Sequence, residues 1–256
     1  MSDPLPVPPD EMRMLVGPTD IDAFDNPTRK PIFPDILLDQ YETVFDFGCG
    51  CGRLARQLLQ QIPCPRKYVG IDLHLGMIKW CQENLQPRAT GFEFIHHDVH
   101  EIGFNPGENK ARMLPFPPQD KSFKLVIGWS VFTHLLDDQV QYYLKEVARI
   151  LNPTGVFVST WFLFDKRYFP MMQEFQNALF INTTNPTNAV IFDVKWLQRI
   201  VKEKGLKIVQ VQPPEIRGFQ WLVHMVPRDR DRAEVEFPDD TAPFGSYSEI
   251  VGGGRQ

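Results

Sequence analysis

The chain has 256 residues, 43% of them hydrophobic and 23% charged, an ordinary globular composition that suits one large α/β domain carrying an insertion. Its formal net charge of −5 gives no general electrostatic pull toward nucleic acid. No apolar run approaches the roughly 20 residues that span a bilayer, and the N-terminus MSDPLPVPPDEM lacks the basic start and apolar stretch of a secretory signal, so the expectation is a soluble, cytoplasmic protein with no membrane or nucleic-acid partner.

Residues 1–40 are rich in proline, which blocks ladder hydrogen bonds and helix interiors. They read as an extended arm with at most short helices, either disordered or folded over a ligand as a lid. From residue 43, TVFDFG reads as a buried parallel strand ending at glycine. CGCGRLARQLLQQI is a Gly-rich turn entering a helix, with Leu54, Leu58, Leu59 and Ile62 at helical spacing and Pro63 as its stop. KYVGIDL is a second strand. HLGMIKWCQENL is a second helix, with Met77, Ile78, Cys81 and Leu85 on one side. FEFIHHDV is a third strand, residues 101–121 are a turn-rich crossover, and FKLVIGWSVF is a fourth strand with its turn. DDQVQYYLKEVARIL is an amphipathic helix that Asp137 or Asp138 caps and NPTG ends. GVFVSTWFLF is the fifth strand.

Strict alternation of strand and helix implies right-handed crossovers and a parallel sheet with helices on both faces. Residues 166–190 read as an insertion or helical segment rich in Phe, Met and Asn, a cover for an acceptor pocket. KWLQRIVKEKG is a helix. LKIVQVQP and QWLVHMVPR lie too close in sequence to pair in parallel, so they form an antiparallel hairpin. The main domain is therefore 41–227, followed by a mobile tail over 228–256.

The first strand runs into Asp46-Phe47-Gly48-Cys49-Gly50-Cys51-Gly52-Arg53. Alternate glycines allow a tight turn and close approach of a ligand, and the helix that follows presents N–H groups at its start. Asp72 closes the second strand, where an acidic residue of a doubly wound fold hydrogen-bonds a ribose diol. Gly50-Cys51-Gly52-Arg53-Leu54-Ala55 also fits the dinucleotide fingerprint, which keeps an NAD-dependent oxidoreductase as an alternative. Asp46 argues against it: a strand-end carboxylate repels a pyrophosphate but stabilises the α-ammonium of a cofactor with an amino-acid end.

VFDFGCGCGRLARQL resembles motif I of the class I S-adenosylmethionine-dependent methyltransferases. GIDL resembles the acidic motif after strand two, and IHHDV the third motif. FKLVIGWSVFTHL with LKEVARILNPTGVFVST resembles the strand-four and strand-five region. The resemblance is close over residues 41–162 and looser over the hairpin. It implies a Rossmann-like, doubly wound, mostly parallel seven-stranded sheet whose last strand is antiparallel. It also implies cofactor roles. Asp46 and Gly48, with Cys49 beside them, lie under the methionine part, and Gly50 and Gly52 permit close approach. Asp72 holds the ribose, and Leu73 and Met77 flank the adenosine. Asp98 meets the adenine amino group, and Val99 packs the ring. Trp129 lies near the methionine end or is simple core.

Methyl transfer is an in-line displacement whose hard chemistry belongs to the cofactor. A hydroxyl or amine acceptor also needs a base. His134, just after strand four, is the candidate, with capping or packing as the bland reading. Asp165 and Tyr168 follow strand five and could face the acceptor. Arg29, Lys30 and Arg217 could bind an acidic substrate, though each also reads as a solvated surface residue. His96 and His97 point to opposite faces of a strand and do not share a metal, so no metal is expected. Cys49, Cys51, Cys64 and Cys81 fall in one short region, unlike a secreted disulfide framework. The reading is a small-molecule methyltransferase acting on a hydroxyl or amine, for example of a saccharide or secondary metabolite. A non-catalytic cofactor-binding partner subunit is a further alternative. Gly128-Trp129-Ser130-Val131 is not the Asn-Pro-Pro-aromatic tetrad of amide- and base-nitrogen methylation.

Overall fold

The computed structural model describes residues 4–17, 19–107, 111–216 and 219–238. The chain divides into two compact units, one of residues 1–129 and 150–155, the other of 130–149 and 156 onward.

In the first unit the proline-rich arm is folded onto the domain. It carries one short helix, α1 (Asp10–Leu15), and two 3-10 turns at Ile21–Phe24 and Leu38–Glu42. Phe24, Phe33 and Ile36 are buried, so apolar side chains anchor it despite the prolines. Strands β1 (Thr43–Phe47), β2 (Lys67–Asp72), β3 (Phe92–His96) and β4 (Phe123–Gly128) pair in parallel in the order β3-β2-β1-β4. All five residues of β1 are buried, as expected of a strand inside a parallel sheet.

Helix α2 (Arg53–Gln60) buries Leu54, Ala55 and Leu58. It stops two residues short of the expected end. Ile62 lies outside it, exposed, and donates its N–H to the Arg29 carbonyl at 2.9 Å. Helix α3 (Leu75–Asn84) buries Met77, Ile78 and Cys81, and Leu85 just beyond it is buried too.

The second unit holds α4 (Asp137–Ile150), whose first turn contains Asp137 and Asp138. Strand β5 (Leu151–Phe164) follows α4 directly, so Asn152-Pro153-Thr154-Gly155 belongs to the strand instead of forming a separate turn. The segment 166–190 is not helical beyond two 3-10 turns. It forms β6 (Ala178–Phe180) and leads into β7 (Val190–Asp193). These two short strands are additional to the seven expected. They pair antiparallel with each other, and β7 runs parallel to residues 162–164 of β5.

After α5 (Val194–Glu203), β8 (Leu206–Ile216) and β9 (Gln220–Pro227) form the antiparallel hairpin, and β9 pairs antiparallel with residues 157–161 of β5. Of the tail, residues 228–238 are described: Val235 donates to the Ile208 carbonyl at 2.9 Å and Phe237 packs on Trp221 at 5.4 Å. Residues 239–256 lie outside the described residues.

Candidate cofactor site

The glycine loop sits at the end of β1. Gly48 and Cys49 both donate N–H bonds to the Ile71 carbonyl, at 2.8 and 3.0 Å, which ties the loop to β2. Gly48, Gly50 and Gly52 have φ of 76°, 54° and 79°, the left-handed region that favours glycine. A Cβ on Gly50 would come within 2.7 Å of Val16 Cγ1, and one on Gly52 would strike Leu85 and Cys81. At these two positions it is the chain's own side chains that make the close approach.

Gly50 is where the site residues converge. Its N–H donates to Asp72 Oδ2 at 2.8 Å, and the Cys49 and Cys81 thiols lie 3.8 and 3.7 Å from its carbonyl oxygen. Asp72 is half-buried, and its Oδ1 accepts from the His74 N–H at 2.8 Å. Each oxygen therefore holds one backbone donor and keeps capacity for another. Burial raises the Asp72 pKa, while the His74 and Gly50 N–H groups hold it down. His74 also caps α3, its Nδ1 accepting from the Met77 N–H at 3.2 Å.

Asp46 is 1% exposed. The Tyr68 hydroxyl donates to its Oδ2 at 2.7 Å, and its Oδ1 has no partner among the described residues. Burial pushes Asp46 up to about 7. The Tyr68 hydrogen bond and the charge of Arg53 oppose that rise, and the charge of Asp72 adds to it. Burial also pushes the Cys49 thiol far up, so it is an inert wall of the loop.

Met77 is buried with Phe24 and Cys51, and Met12, Val16 and Ala23 pack against them. Leu73 is half-buried, with its carbonyl 3.0 Å from His96 Nε2. His96 pairs with Asp72 across the β3–β2 register, which puts Asp98 two residues beyond that pairing. Asp98 is exposed and Val99 buried, and the Asn105 amide donates to Asp98 Oδ1 at 2.9 Å and to the Val99 carbonyl at 2.8 Å. Trp129 is half-buried with its ring centroid 5.6 Å from that of Phe33. Buried His97 has its ring 6.3 Å from Phe47 and 6.1 Å from Phe116. Among the described residues no group of three or more His, Cys, Asp or Glu could hold a metal, and no helix is long and apolar enough to cross a membrane.

The expected cofactor residues thus all belong to the first unit. His134, Asp165 and Tyr168 belong to the second. His134 is exposed, with Nδ1 3.0 Å from the Thr187 carbonyl. A carbonyl only accepts, so Nδ1 carries the proton and a neutral His134 presents Nε2 as its basic atom. Asp165 is occupied structurally. It caps a 3-10 turn and pairs with Arg167 at 2.5 Å, and although burial pushes its pKa up, the Arg167 bonds outweigh that and leave it lowered. Tyr168 is 44% exposed beside Arg167. Arg29 sits in the arm with its Nε donating to the Gln60 carbonyl at 3.3 Å, Lys30 is exposed, and Arg217 lies outside the described residues.

Three participants had no clear signal in sequence. Tyr68 reads only as an aromatic of a buried strand, yet it is the partner of Asp46. Val16 and Phe33 are isolated apolar residues among prolines, where no periodicity marks them as contacts of the loop and of Trp129.

Residues 44–155 match a family model described as a methyltransferase domain. Two curated relatives are a fatty-acid O-methyltransferase of Mycolicibacterium smegmatis and a malonyl-[acyl-carrier protein] O-methyltransferase of Porphyromonas gingivalis. The first is 32% identical over 117 residues, 46% of this chain and 36% of the relative. The second is 26% identical over 122 residues, 48% of this chain and 38% of the relative. The chain thus spans little more than a third of the length of these relatives.

Among solved structures, the O-methyltransferase NcsB1 from neocarzinostatin biosynthesis, in complex with S-adenosylmethionine and 2-hydroxy-5-methyl naphthoic acid, aligns with a TM-score of 0.52 at 12% identity. The alignment covers 76% of this chain and 51% of that one, and shares the fold. Residues 44–155, which carry the parallel sheet, the glycine loop and Asp72, thus match a methyltransferase domain.

Proposed function

We propose that the protein binds S-adenosylmethionine at the loop 46–52 and transfers its methyl group to a small-molecule acceptor, at oxygen in preference to nitrogen. The observation that carries this reading is the Gly50–Asp72 pair. A half-buried strand-end carboxylate is tied to the glycine loop through the Gly50 N–H on one oxygen and to the start of α3 through the His74 N–H on the other, with acceptor capacity left on both oxygens for a ribose diol. The unpartnered, buried Asp46 Oδ1 also fits a ligand carrying a cation, because such a group would hold the carboxylate in its charged form.

When bound, the cofactor supplies an electrophilic methyl group on a sulfonium. The chain's own residues hold and orient it: Asp72 at the ribose, Leu73 and Met77 beside the adenosine, Asp98 and Val99 at the adenine, Gly48 and Trp129 toward the methionine end. For a hydroxyl or amine acceptor, of a saccharide or secondary metabolite for example, His134 Nε2 takes the proton. A carboxylate acceptor is the second reading, favoured by the names of the two curated relatives. It needs no base, since a carboxylate is already an oxygen nucleophile at neutral pH. The reaction belongs in the cytoplasm, where thiols such as Cys49 and Cys81 stay reduced.

The test is calorimetric titration of the full chain with S-adenosylmethionine, S-adenosylhomocysteine and NAD, repeated on Asp72→Ala. Micromolar binding of both adenosyl compounds and none of NAD is expected. The Asp72→Ala variant should bind about 10–100-fold more weakly, because two charge-assisted bonds are lost. Binding of NAD alone would establish the oxidoreductase alternative. Adenosyl binding without turnover on any hydroxyl, amine or carboxylate acceptor would favour a partner subunit.

A further inference from the structure

The outward face of α2 is polar in a way that solvation does not explain. Arg56 is buried, and every nitrogen of its guanidinium is used on the N-terminal arm. Nε donates to the Pro6 carbonyl at 2.9 Å and Nη2 to the Leu5 carbonyl at 3.1 Å. Nη1 donates to the Phe24 carbonyl at 3.0 Å and to the Asp25 carboxylate. One residue along, Gln57 Nε2 donates to the Ala23 carbonyl at 2.7 Å. Gln60 Nε2 donates to Asp25 Oδ1 at 2.8 Å, and its Oε1 accepts the Asn26 N–H. Gln61 Oε1 accepts the Ile32 N–H at 3.2 Å. The opposite face, Leu54, Ala55 and Leu58, is core. The helix, with Gln61 just past its end, is therefore a rail that holds backbone groups of Leu5, Pro6, Ala23, Phe24, Asn26 and Ile32.

The arm held on this rail touches the candidate cofactor site at two places. Val16 lies where a Gly50 side chain would be, and it packs with Met12 and Ala23 against the Phe24–Cys51–Met77 cluster. Phe33 packs on Trp129. Gly50, Met77 and Trp129 are all residues assigned above to the cofactor.

We propose that the arm is a strap that closes the cofactor site, and that Arg56, with Gln57 and Gln60, is the positioning group that holds it shut. The inference rests on the functional reading above and adds a mechanism of retention. A ligand that binds more tightly when the strap is closed stabilises the strap. By the same linkage, weakening the rail weakens the ligand without any residue at the ligand being touched. The fastenings are mostly side-chain hydrogen bonds to backbone groups, with a small apolar cluster beside them. Such a contact opens more readily than a continuous core.

The experiment compares the wild-type chain with Arg56→Ala, Arg56→Lys and Gln60→Ala. It measures S-adenosylhomocysteine affinity, its dissociation rate by stopped flow, and tryptic cleavage after Arg29 with and without that ligand. Arg56→Ala should raise the Kd about tenfold or more, through faster dissociation, since several hydrogen bonds are lost together. Gln60→Ala should shift it in the same direction by less, with thermal unfolding of the ligand-free chain unchanged. Arg56→Lys should rescue only part, because one ammonium cannot reproduce the planar fork. In the wild type the ligand should slow cleavage after Arg29.

Should Arg56→Ala fail to fold, Gln60→Ala decides. Unchanged affinity and dissociation in the folded variants overturn the strap, and tighter binding overturns it too by making the arm a plug. A wild-type chain that binds no S-adenosylhomocysteine overturns the functional reading and the strap together. Wild-type binding with indifferent variants removes the strap alone.

Discussion

Asp46→Asn tests the buried carboxylate under the glycine loop. Asp46 is fully enclosed, and burial raises its pKa from an ordinary 3.8 to about 7. The sign follows from proton counting. Between those two values the native state holds a proton that the unfolded chain has lost, so stability is fully present below pH 3.8 and declines as pH rises toward 7. A shift of this size is on the order of 4 kcal/mol at alkaline pH, of which about 2.5 kcal/mol develops between pH 5 and pH 8.

Asparagine keeps a carbonyl oxygen to accept the Tyr68 hydroxyl and never ionises. Urea unfolding of both proteins at pH 5, 6, 7 and 8, without ligand, reads the difference directly. The stability of Asp46→Asn relative to wild type should climb with pH by roughly that 2.5 kcal/mol. A difference that stays flat from pH 5 to pH 8, or that shrinks, would refute the assignment of a buried, readily protonated Asp46. The same proton supplies a second readout, because a ligand ammonium that draws Asp46 into its charged form must expel it. Binding near pH 7 would then release protons, visible as a buffer-dependent enthalpy.

Two more substitutions address packing and chemistry. Gly50→Ala combines a left-handed φ of 54° with a contact to Val16 at 2.7 Å, so it should cost about 1–3 kcal/mol in urea unfolding. Adding Val16→Ala should return part of that loss, and a strictly additive pair would show that Val16 does not press on the loop. His134→Ala should leave S-adenosylhomocysteine affinity as it is and slow methylation of a hydroxyl acceptor about a hundredfold or more. Unchanged turnover would leave the bond to the Thr187 carbonyl as its whole role.

The sheet was legible in sequence because parallel strands are continuous apolar runs and their helices repeat at 3.6 residues. TVFDF, KYVGID and FKLVIG each say buried strand with no long-range knowledge. The tight glycine turn was legible for a similar reason, since alternate glycines directly after a strand are a local signal, and the structure places Asp72 against it. What sequence hid was whatever depends on distant partners. The segment 166–190 carries the Phe-rich stretch of a helix or insertion, but ALF and VIFD find each other and the end of β5 and become strands. That is β-propensity realised by tertiary context. Ile62 has the spacing of a helix core residue, yet the chain leaves the helix at Gln61 to reach the arm, so periodicity overran the boundary.

The arm shows the same limit from the other side. Proline-rich sequence signals only that regular ladders are absent, and it leaves open where backbone carbonyls go for hydrogen bonds. Here carbonyls of Leu5, Pro6, Ala23 and Phe24 go to the side chains of α2. Read alone, Arg56, Gln57 and Gln60 of that helix, with Gln61 just past its end, are a solvated face, and the carbonyls of the arm are loop. Only together do they account for each other's polar groups. They also account for Val16 lying against Gly50, since the arm they hold packs on the glycine loop. Position 50 must therefore remain glycine for two reasons at once, its left-handed φ and the space Val16 fills. The Gly50→Ala and Val16→Ala pair separates them, because relieving the contact leaves the backbone term intact.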